Sequence, residues 1–379
     1  MPMKDGLSRD VIGNIASTFE RVHSPLDGSR FVGDACEGLD DLELKDRVVR
    51  VAAVLREHLP DPYPSALAVI REAASVWPAR DPNDALGGFA AWPMIDFVGI
   101  YGLDHPEVSL DALAEITHLF SAEFAIRPFL VHHTDMTLRR LHEWTADERE
   151  HVRRLVSEGT RPLLPWGIRL KAFQADPAPG LALLERLKDD PSDYVRRSVA
   201  NHLNDVSKDH PDLVVDICTR WRKGASPERD WIVRHATRTL VKKGHPAALK
   251  LLGFDDNPKV RLRDLQVTPE KIRVGDSIDV AFRLESTGKA AQDLVVDYAV
   301  HHRKANGEAT PKVFKLKTLH LGPGEAVSLS KRHSFRRITT RQYYPGRHEV
   351  EVTVNGKRVG RAGCDLTVWN KGALPCEGY

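Results

Sequence analysis

No stretch of this sequence approaches the roughly 20 consecutive apolar residues that a membrane-spanning helix needs. The opening MPMKDGLSRD has charge but no apolar run behind it, so neither a membrane span nor a secretory signal is expected. Cysteine is scarce, and the four residues, at 36, 218, 364 and 376, include no CxxC spacing. That argues against a zinc ribbon and a disulfide framework, and for reduced thiols in a cytoplasmic protein. His132, His133, Asp135 and His142 lie close in the chain but match no closed ligand set, so no metal is expected. Net charge is also small, +2 over 379 residues, but it is unevenly spread. Residues 1–120 carry 10 Lys and Arg against 20 Asp and Glu, and the remainder carries 45 against 33. This asymmetry fits a basic surface for a polyanion. With 41% hydrophobic and 28% charged residues, the chain has the make-up of a folded protein with room for two domains.

From Arg9 to about Leu59, Val11, Ile15, Phe19 and then Leu42, Leu44, Val48, Val49, Ala52 and Leu55 recur at helical intervals. Prolines 60, 62 and 64 break the pattern, and a helix resumes with Ser65 as its expected N-cap. Residues 87–103, with Trp92, Phe97 and Tyr101, read either as a buried helix or as an aromatic wall beside a ligand. Glu123 falls among Leu119, Phe120, Phe124 and Ile126. A carboxylate there pairs with a base such as Arg127 or sits in a pocket. Thr145 and Glu148 have the spacing of a capping box. Pro162, Pro165 and Gly167 then interrupt the helix and leave Glu158, Arg161 and Trp166 on or beside a turn.

Short helices follow. Asp193–Lys208, DYVRRSVANHLNDVSK, places Val195, Val199, His202, Leu203 and Val206 on one face and Arg196, Arg197, Asn201, Asn204, Asp205 and Lys208 on the other. Val-Arg dipeptides at 195, 233 and 260, and His-Pro dipeptides at 210 and 245, give the irregular spacing of a HEAT-type helical-pair repeat with the His-Pro pairs closing two units. Such a stack would line one surface with Arg169, Arg196, Arg197, Arg234 and Arg238, a repeated cation suited to phosphates. Past Leu265 the period changes to two, as in Ile278, Val280, Phe282 and Leu284. With turn signals at Gly322–Pro323–Gly324 and Asn355–Gly356, this predicts an immunoglobulin-like sandwich of about 100 residues. The expected fold is mainly α: a HEAT-like solenoid over residues 1–263, then an immunoglobulin-like β-sandwich over 264–379. Basic loops of the sandwich, with Arg336, Arg337 and Arg341, would touch the same polyanion.

Carboxylates beside tryptophan in a basic surface suit a positively charged base or an oxocarbenium-like sugar, although pairing of all three acids with neighbouring arginines fits the spacing as well. A non-enzymatic repeat protein that binds bent or branched nucleic acid keeps the arginines and gives the acids no chemical role. The segments GLDDLELKDRVVRVAAVLREHLP, FSAEFAIRPFL, SEGTRPLLPWGIRL and YVRRSVANHLNDVSKDHP, joined to a C-terminal sandwich, resemble the AlkC branch of the AlkC/AlkD superfamily of DNA alkylation-repair glycosylases. The resemblance implies excision of cationic N-methylated bases, 3-methyladenine and also 3-methylcytosine, from double-stranded DNA by a monomer with no cofactor or metal, in the cytoplasm at the nucleoid. It also implies that Glu123, Glu158, Trp166 and Asp205 form the lesion pocket. Asp205 and Glu158 are expected at the sugar and Glu123 at the base. Arg161, Arg169, Arg196, Arg197, Asn201, Arg234 and Arg238 are expected at the DNA.

Overall fold

The structure, a computed structural model, describes residues 2–79, 86–338 and 341–368; Cys376 lies outside them. Helices occupy the chain from Met3 to Leu251 and strands from Val260 to Thr367. By packing, the chain divides into two compact units, Met1–His210 with Gly224–Ala236, and Pro211–Lys223 with Thr237–Tyr379. The expected border at residue 263 therefore differs from the packing border. Helices Pro211–Arg222, Arg238–Lys242 and Pro246–Leu251 belong with the sandwich. The reason is local. Gly244 and Gly356 both have left-handed backbone (φ 71° and 74°), and a Cβ on Gly244 would stand 2.7 Å from the Gly356 Cα. Two chains approach that closely only where neither carries a side chain. Asn355 Nδ2 also donates to the Asp255 carbonyl at 2.7 Å.

In the first unit, helices Arg9–Val22, Leu44–His58, Trp92–Tyr101, Glu150–Gly159 and Asp193–Val206 bury Ile12, Phe19, Val48, Leu55, Ile95, Phe97, Leu155, Val199 and Leu203. Gly99 lets Trp92–Tyr101 approach the segment that carries Glu123, because a Cβ there would lie 2.8 Å from the Ala125 backbone. Several expected helix starts are displaced. Tyr63–Ser75 begins with Pro64 in its first turn, which places Ser65 inside the helix rather than at its cap. Thr145 ends helix Thr134–Trp144 and accepts from Arg186 Nε at 2.7 Å. Asp147 instead accepts the Arg149 N–H ahead of Glu150–Gly159, and no Thr145–Glu148 box forms. The His-Pro pairs open helices rather than closing repeats: Pro211 and Pro246 are first helical residues, and the His245 side chain accepts from Ala248 N.

The sandwich consists of β1 (Val260–Thr268), β2 (Lys271–Arg273), β3 (Ser277–Ser286), β4 (Gln292–Arg303), β5 (Ala309–Leu321), β6 (Ala326–Ser334), β7 (Gly346–Val354) and β8 (Lys357–Thr367). One sheet has the order β1-β3-β6 and the other β2-β8-β7-β4-β5. Asn355–Gly356 makes the β7–β8 hairpin, as its turn chemistry predicts. The third Val-Arg pair is not a helical repeat. Val260 pairs with Ser286 across β1 and β3, and the alternation of Val260 and Leu262 with exposed Arg261 and Arg263 is a strand period.

Three buried histidines, His302, His333 and His348, stand around Phe335 with ring centroids 5.3–5.8 Å from it. His302 Nε2 accepts from Arg341 Nη1 at 2.5 Å, and one ring nitrogen of each histidine is buried without a partner. Burial pushes His302 down to about 3 and His333 down to about 4, each helped by the Arg341 charge, and also lowers His348. Unfolding restores the ordinary value near 6.5, so the stability they confer holds above that pH and is lost as pH falls toward the folded values. Calorimetry of the full chain should show the sandwich transition falling between about pH 7 and pH 4.5. Each histidine should contribute up to about 1.4 kcal/mol per pH unit. A transition temperature independent of pH over this range would contradict the assignment.

Candidate active site

Helix Glu150–Gly159, its following turn, the segment before Arg127 and helix Asp193–Val206 bring one alternating chain of charges together. Arg154 Nη1 donates to Glu123 Oε2 at 2.7 Å and to Ser121 Oγ at 2.6 Å, and its Nη2 lies 3.6 Å from Glu158 Oε1. Arg161 donates through Nη1 to Glu158 Oε1 at 2.5 Å and through Nε to Asp205 Oδ2 at 2.8 Å. Lys208 Nζ donates to Asp205 Oδ1 at 2.8 Å. Ser198 Oγ donates to Glu158 Oε2 at 2.6 Å. Burial works against the charges of Arg154 and Arg161, yet the neighbouring carboxylates outweigh it and raise both. All three acids are therefore paired with bases.

The base expected beside Glu123 is a different one. Arg127 is fully buried and faces carbonyls: its Nη1 donates to Gly159 O at 2.8 Å and Arg161 O at 2.9 Å, and its Nε to Ile168 O at 2.7 Å. Burial first, and the Arg161 charge second, lower its guanidinium to about 10. Arg127 thus clamps the turn that follows Glu158 from within. Arg154 takes the ion pair with Glu123, and its guanidinium also lies 4.6 Å from the centre of the Tyr194 ring.

The clamped turn presents Trp166, whose side chain is half exposed and whose φ of 66° is left-handed. A bulky residue held in that region is strained by about 1–3 kcal/mol and marks a position worth the cost. Trp166 walls a cleft of about 410 Å³ with Met3, Leu44 and Lys45. Nearby, Trp92 stacks on Phe120 and Phe124 at 5.0 and 5.2 Å, and Trp92 and Phe97 are fully buried, which is the buried-helix reading of residues 87–103. Asp96, one turn beyond Trp92, is pushed up to about 6 by burial, against the opposing effects of the Trp92 side chain and the Lys45 charge.

Exposure separates the acids. The side chain of Glu123 is 15% exposed, that of Glu158 6% and that of Asp205 2%. Asp205 was expected on an exposed polar stripe, but it is buried, as is Asn204. Helix Asp193–Val206 is covered on two sides, by Glu150–Gly159 and Pro227–Ala236, so its polar face also packs. Arg161 is buried too, and in this fold it joins carboxylates rather than presenting itself to a phosphate. Of the other expected DNA-facing residues, Arg169 is exposed, Arg197 and Arg234 are exposed and paired with Asp193 and Asp230, and Asn201 and Arg238 are half-buried. Arg196 donates to the Asp190 and Pro191 carbonyls. In the sandwich, Arg336 and Arg337 are exposed, whereas Arg341 is half-buried against His302. His133 Nε2 meets the Leu103 carbonyl, and among the described residues no group of three or more His, Cys, Asp or Glu stands where it could hold a metal. Among the described residues, no helix is long and apolar enough to cross a membrane. The helical spacing of Arg154, Glu158 and Arg161 signals their pairing; Lys45, Ser198 and Tyr194 carry no such signal.

A family model described as DNA alkylation repair enzyme matches residues 120–240, and one described as the C-terminal Ig-like domain of uncharacterised protein YhaZ matches residues 261–368. The chain is 37% identical over 356 residues to the uncharacterized protein YhaZ of Bacillus subtilis (strain 168), covering 94% of this chain and 96% of that one. Among solved structures it is similar to the Pseudomonas fluorescens alkylpurine DNA glycosylase AlkC bound to DNA containing an abasic site analog. The TM-score is 0.91 and the identity 41%, over 97% of this chain and 100% of that one.

Two stability predictions follow from the charges. Arg161→Met leaves Glu158 and Asp205 buried without their shared partner and should cost about 3–5 kcal/mol in chemical denaturation; a loss below about 1 kcal/mol would contradict the network. Asp96 has its carboxyl raised from 3.8 to about 6, so its favourable contribution is complete below about pH 4 and is lost as pH rises through about 6. Asp96→Asn should therefore stabilise the protein by up to about 3 kcal/mol near pH 8, with the gain fading toward pH 4. An equal effect at both pH values would refute it.

Proposed function

Because the chain belongs to the AlkC-type family of DNA alkylation-repair glycosylases, we propose that it hydrolyses the N-glycosidic bond of cationic N-methylated bases in double-stranded DNA. We take 3-methyladenine as the principal substrate and 3-methylcytosine as a further one. The observation that carries this reading is the line of buried carboxylates, least buried at Glu123, together with the turn after Glu158 that exposes a backbone-strained tryptophan.

A base methylated at N3 already bears a positive charge and leaves as a neutral molecule, so the protein has little need of a general acid. The charge passes to the sugar as the bond breaks, and fixed negative groups lower the energy of that state more than that of the bound substrate. Glu123 is the most exposed of the acids, and its pair with Arg154 ends on Oε2; it is the carboxylate best placed to meet the incoming cation. Glu158 and Asp205 lie deeper, with both oxygens of each engaged. Their part is to hold negative charge behind the sugar and to orient water, and Lys208, whose side chain is 39% exposed, must turn away before Asp205 Oδ1 can take a new partner. Trp166 offers its ring face to the charged base. On the sandwich, the exposed Arg336 and Arg337 contact the DNA backbone.

Release of free 3-methyladenine from methylated duplex DNA, under single-turnover conditions, tests the reading. Glu123→Gln, Glu158→Gln and Asp205→Asn should each slow release by about 10²–10³ while leaving binding to undamaged duplex unchanged. Tight binding of damaged duplex with no release by the wild type would support a non-catalytic nucleic-acid binder instead. Arg336→Glu with Arg337→Glu should weaken DNA binding and reduce its salt dependence by about two ionic contacts. Unaltered affinity would remove the sandwich from the interface.

A further inference from the structure

The structure assigns Lys45, far from Trp166 in sequence, as the residue that positions the Trp166 indole. Its Nζ donates to the Trp166 carbonyl oxygen at 2.8 Å, across 121 residues of chain. Lys45 is the second residue of helix Leu44–His58, a rigid element, and its ammonium lies 5.8 Å from the centre of the Phe124 ring. Phe124 in turn stacks on the buried Trp92.

The backbone at Trp166 makes this contact more than incidental. With φ at 66° the peptide turns its carbonyl out of the path an ordinary turn would take. Arg127 fixes the same turn from within through Gly159, Arg161 and Ile168, but none of those carbonyls belongs to Trp166 itself. Lys45 supplies the remaining hold from the outer side with a charge-assisted bond, which is shorter and stronger than a neutral one. The indole is half exposed and lines an open cleft rather than the core, so its direction depends on the backbone that carries it. Lys45 donates to the Trp166 carbonyl and lies against the Phe124 ring, and its charge also reaches the buried Asp96 carboxyl.

The effect on catalysis rests on the glycosylase reading, but the effect on Trp166 does not, and the experiment separates them. The protein is labelled with 5-fluorotryptophan, and the Trp166 fluorine resonance is assigned from Trp166→Phe. Lys45→Met should shift and broaden that resonance and leave those of the buried tryptophans in place, and Lys45→Arg should restore it. In the excision assay Lys45→Met should slow release about 10- to 100-fold, the scale expected when a reacting partner is misplaced by about 1 Å. Affinity for undamaged duplex should hold within about twofold, and no further loss should appear in a Trp166→Ala background. An unmoved Trp166 resonance in Lys45→Met overturns the inference whether or not the wild type releases base. So does an undiminished loss in the Trp166→Ala background, or a reduced salt dependence of DNA binding, either of which would make Lys45 a phosphate contact.

Discussion

Arg161 lies between Glu158 and Asp205 with little access to water, and the candidate site depends on that placement. Removing three such charges from solvent is costly, and their attraction offsets the cost only when every remaining lone pair and proton has a partner. Here Ser198 serves Glu158, Lys208 serves Asp205, and Arg154 joins Glu123 to the same line. The arrangement fixes the distance between helices Glu150–Gly159 and Asp193–Val206 by polar bonds as well as by packing of Leu155, Val199 and Leu203. A hydrophobic contact of equal area would tolerate sliding, whereas directional ion pairs do not.

A second constraint follows from the first. The turn after Glu158 carries both a member of the ion line, Arg161, and the exposed ring of Trp166, so it must be held against two different demands. Arg127 meets the first by occupying carbonyls on either side of Arg161, at the expense of a fully buried guanidinium with Nη2 left without a partner. Lys45 meets the second from a separate helix. Between them the cations order a segment that two prolines prevent from forming regular structure, and the strain at Trp166 is sustained by its surroundings rather than by its own preferences.

The two-domain order, helices then sandwich, was legible in the change of period from 3.6 to 2, and the β7–β8 hairpin in the dipeptide Asn355–Gly356. The exact handover was not: VRLRDL is short enough to suit either period, and only the partner strand decides it. His210–Pro211 and His245–Pro246 were legible as punctuation but not as starts, since proline at a helix's first residue and proline beyond its last look alike without the neighbours. Glu123, Glu158, Trp166 and Asp205 were grouped by resemblance, not by spacing. The depth of Asp205 escaped the sequence because a polar stripe on one helix says nothing of a second helix laid over it. Arg127, the expected partner of Glu123, is instead engaged by the carbonyls of a turn more than 30 residues away, and Arg154 takes the pair.

What the account requires above all is that this cluster, neutralised in part by its own arginines, still favours a cation at the sugar. Equilibrium binding to duplexes that differ at one position, a protonated pyrrolidine abasic analogue against its neutral tetrahydrofuran counterpart, measures this directly. The account predicts that the cationic analogue binds at least about tenfold tighter and that Glu158→Gln removes the preference without altering affinity for the neutral one. Equal affinity of the wild-type protein for both duplexes would contradict it.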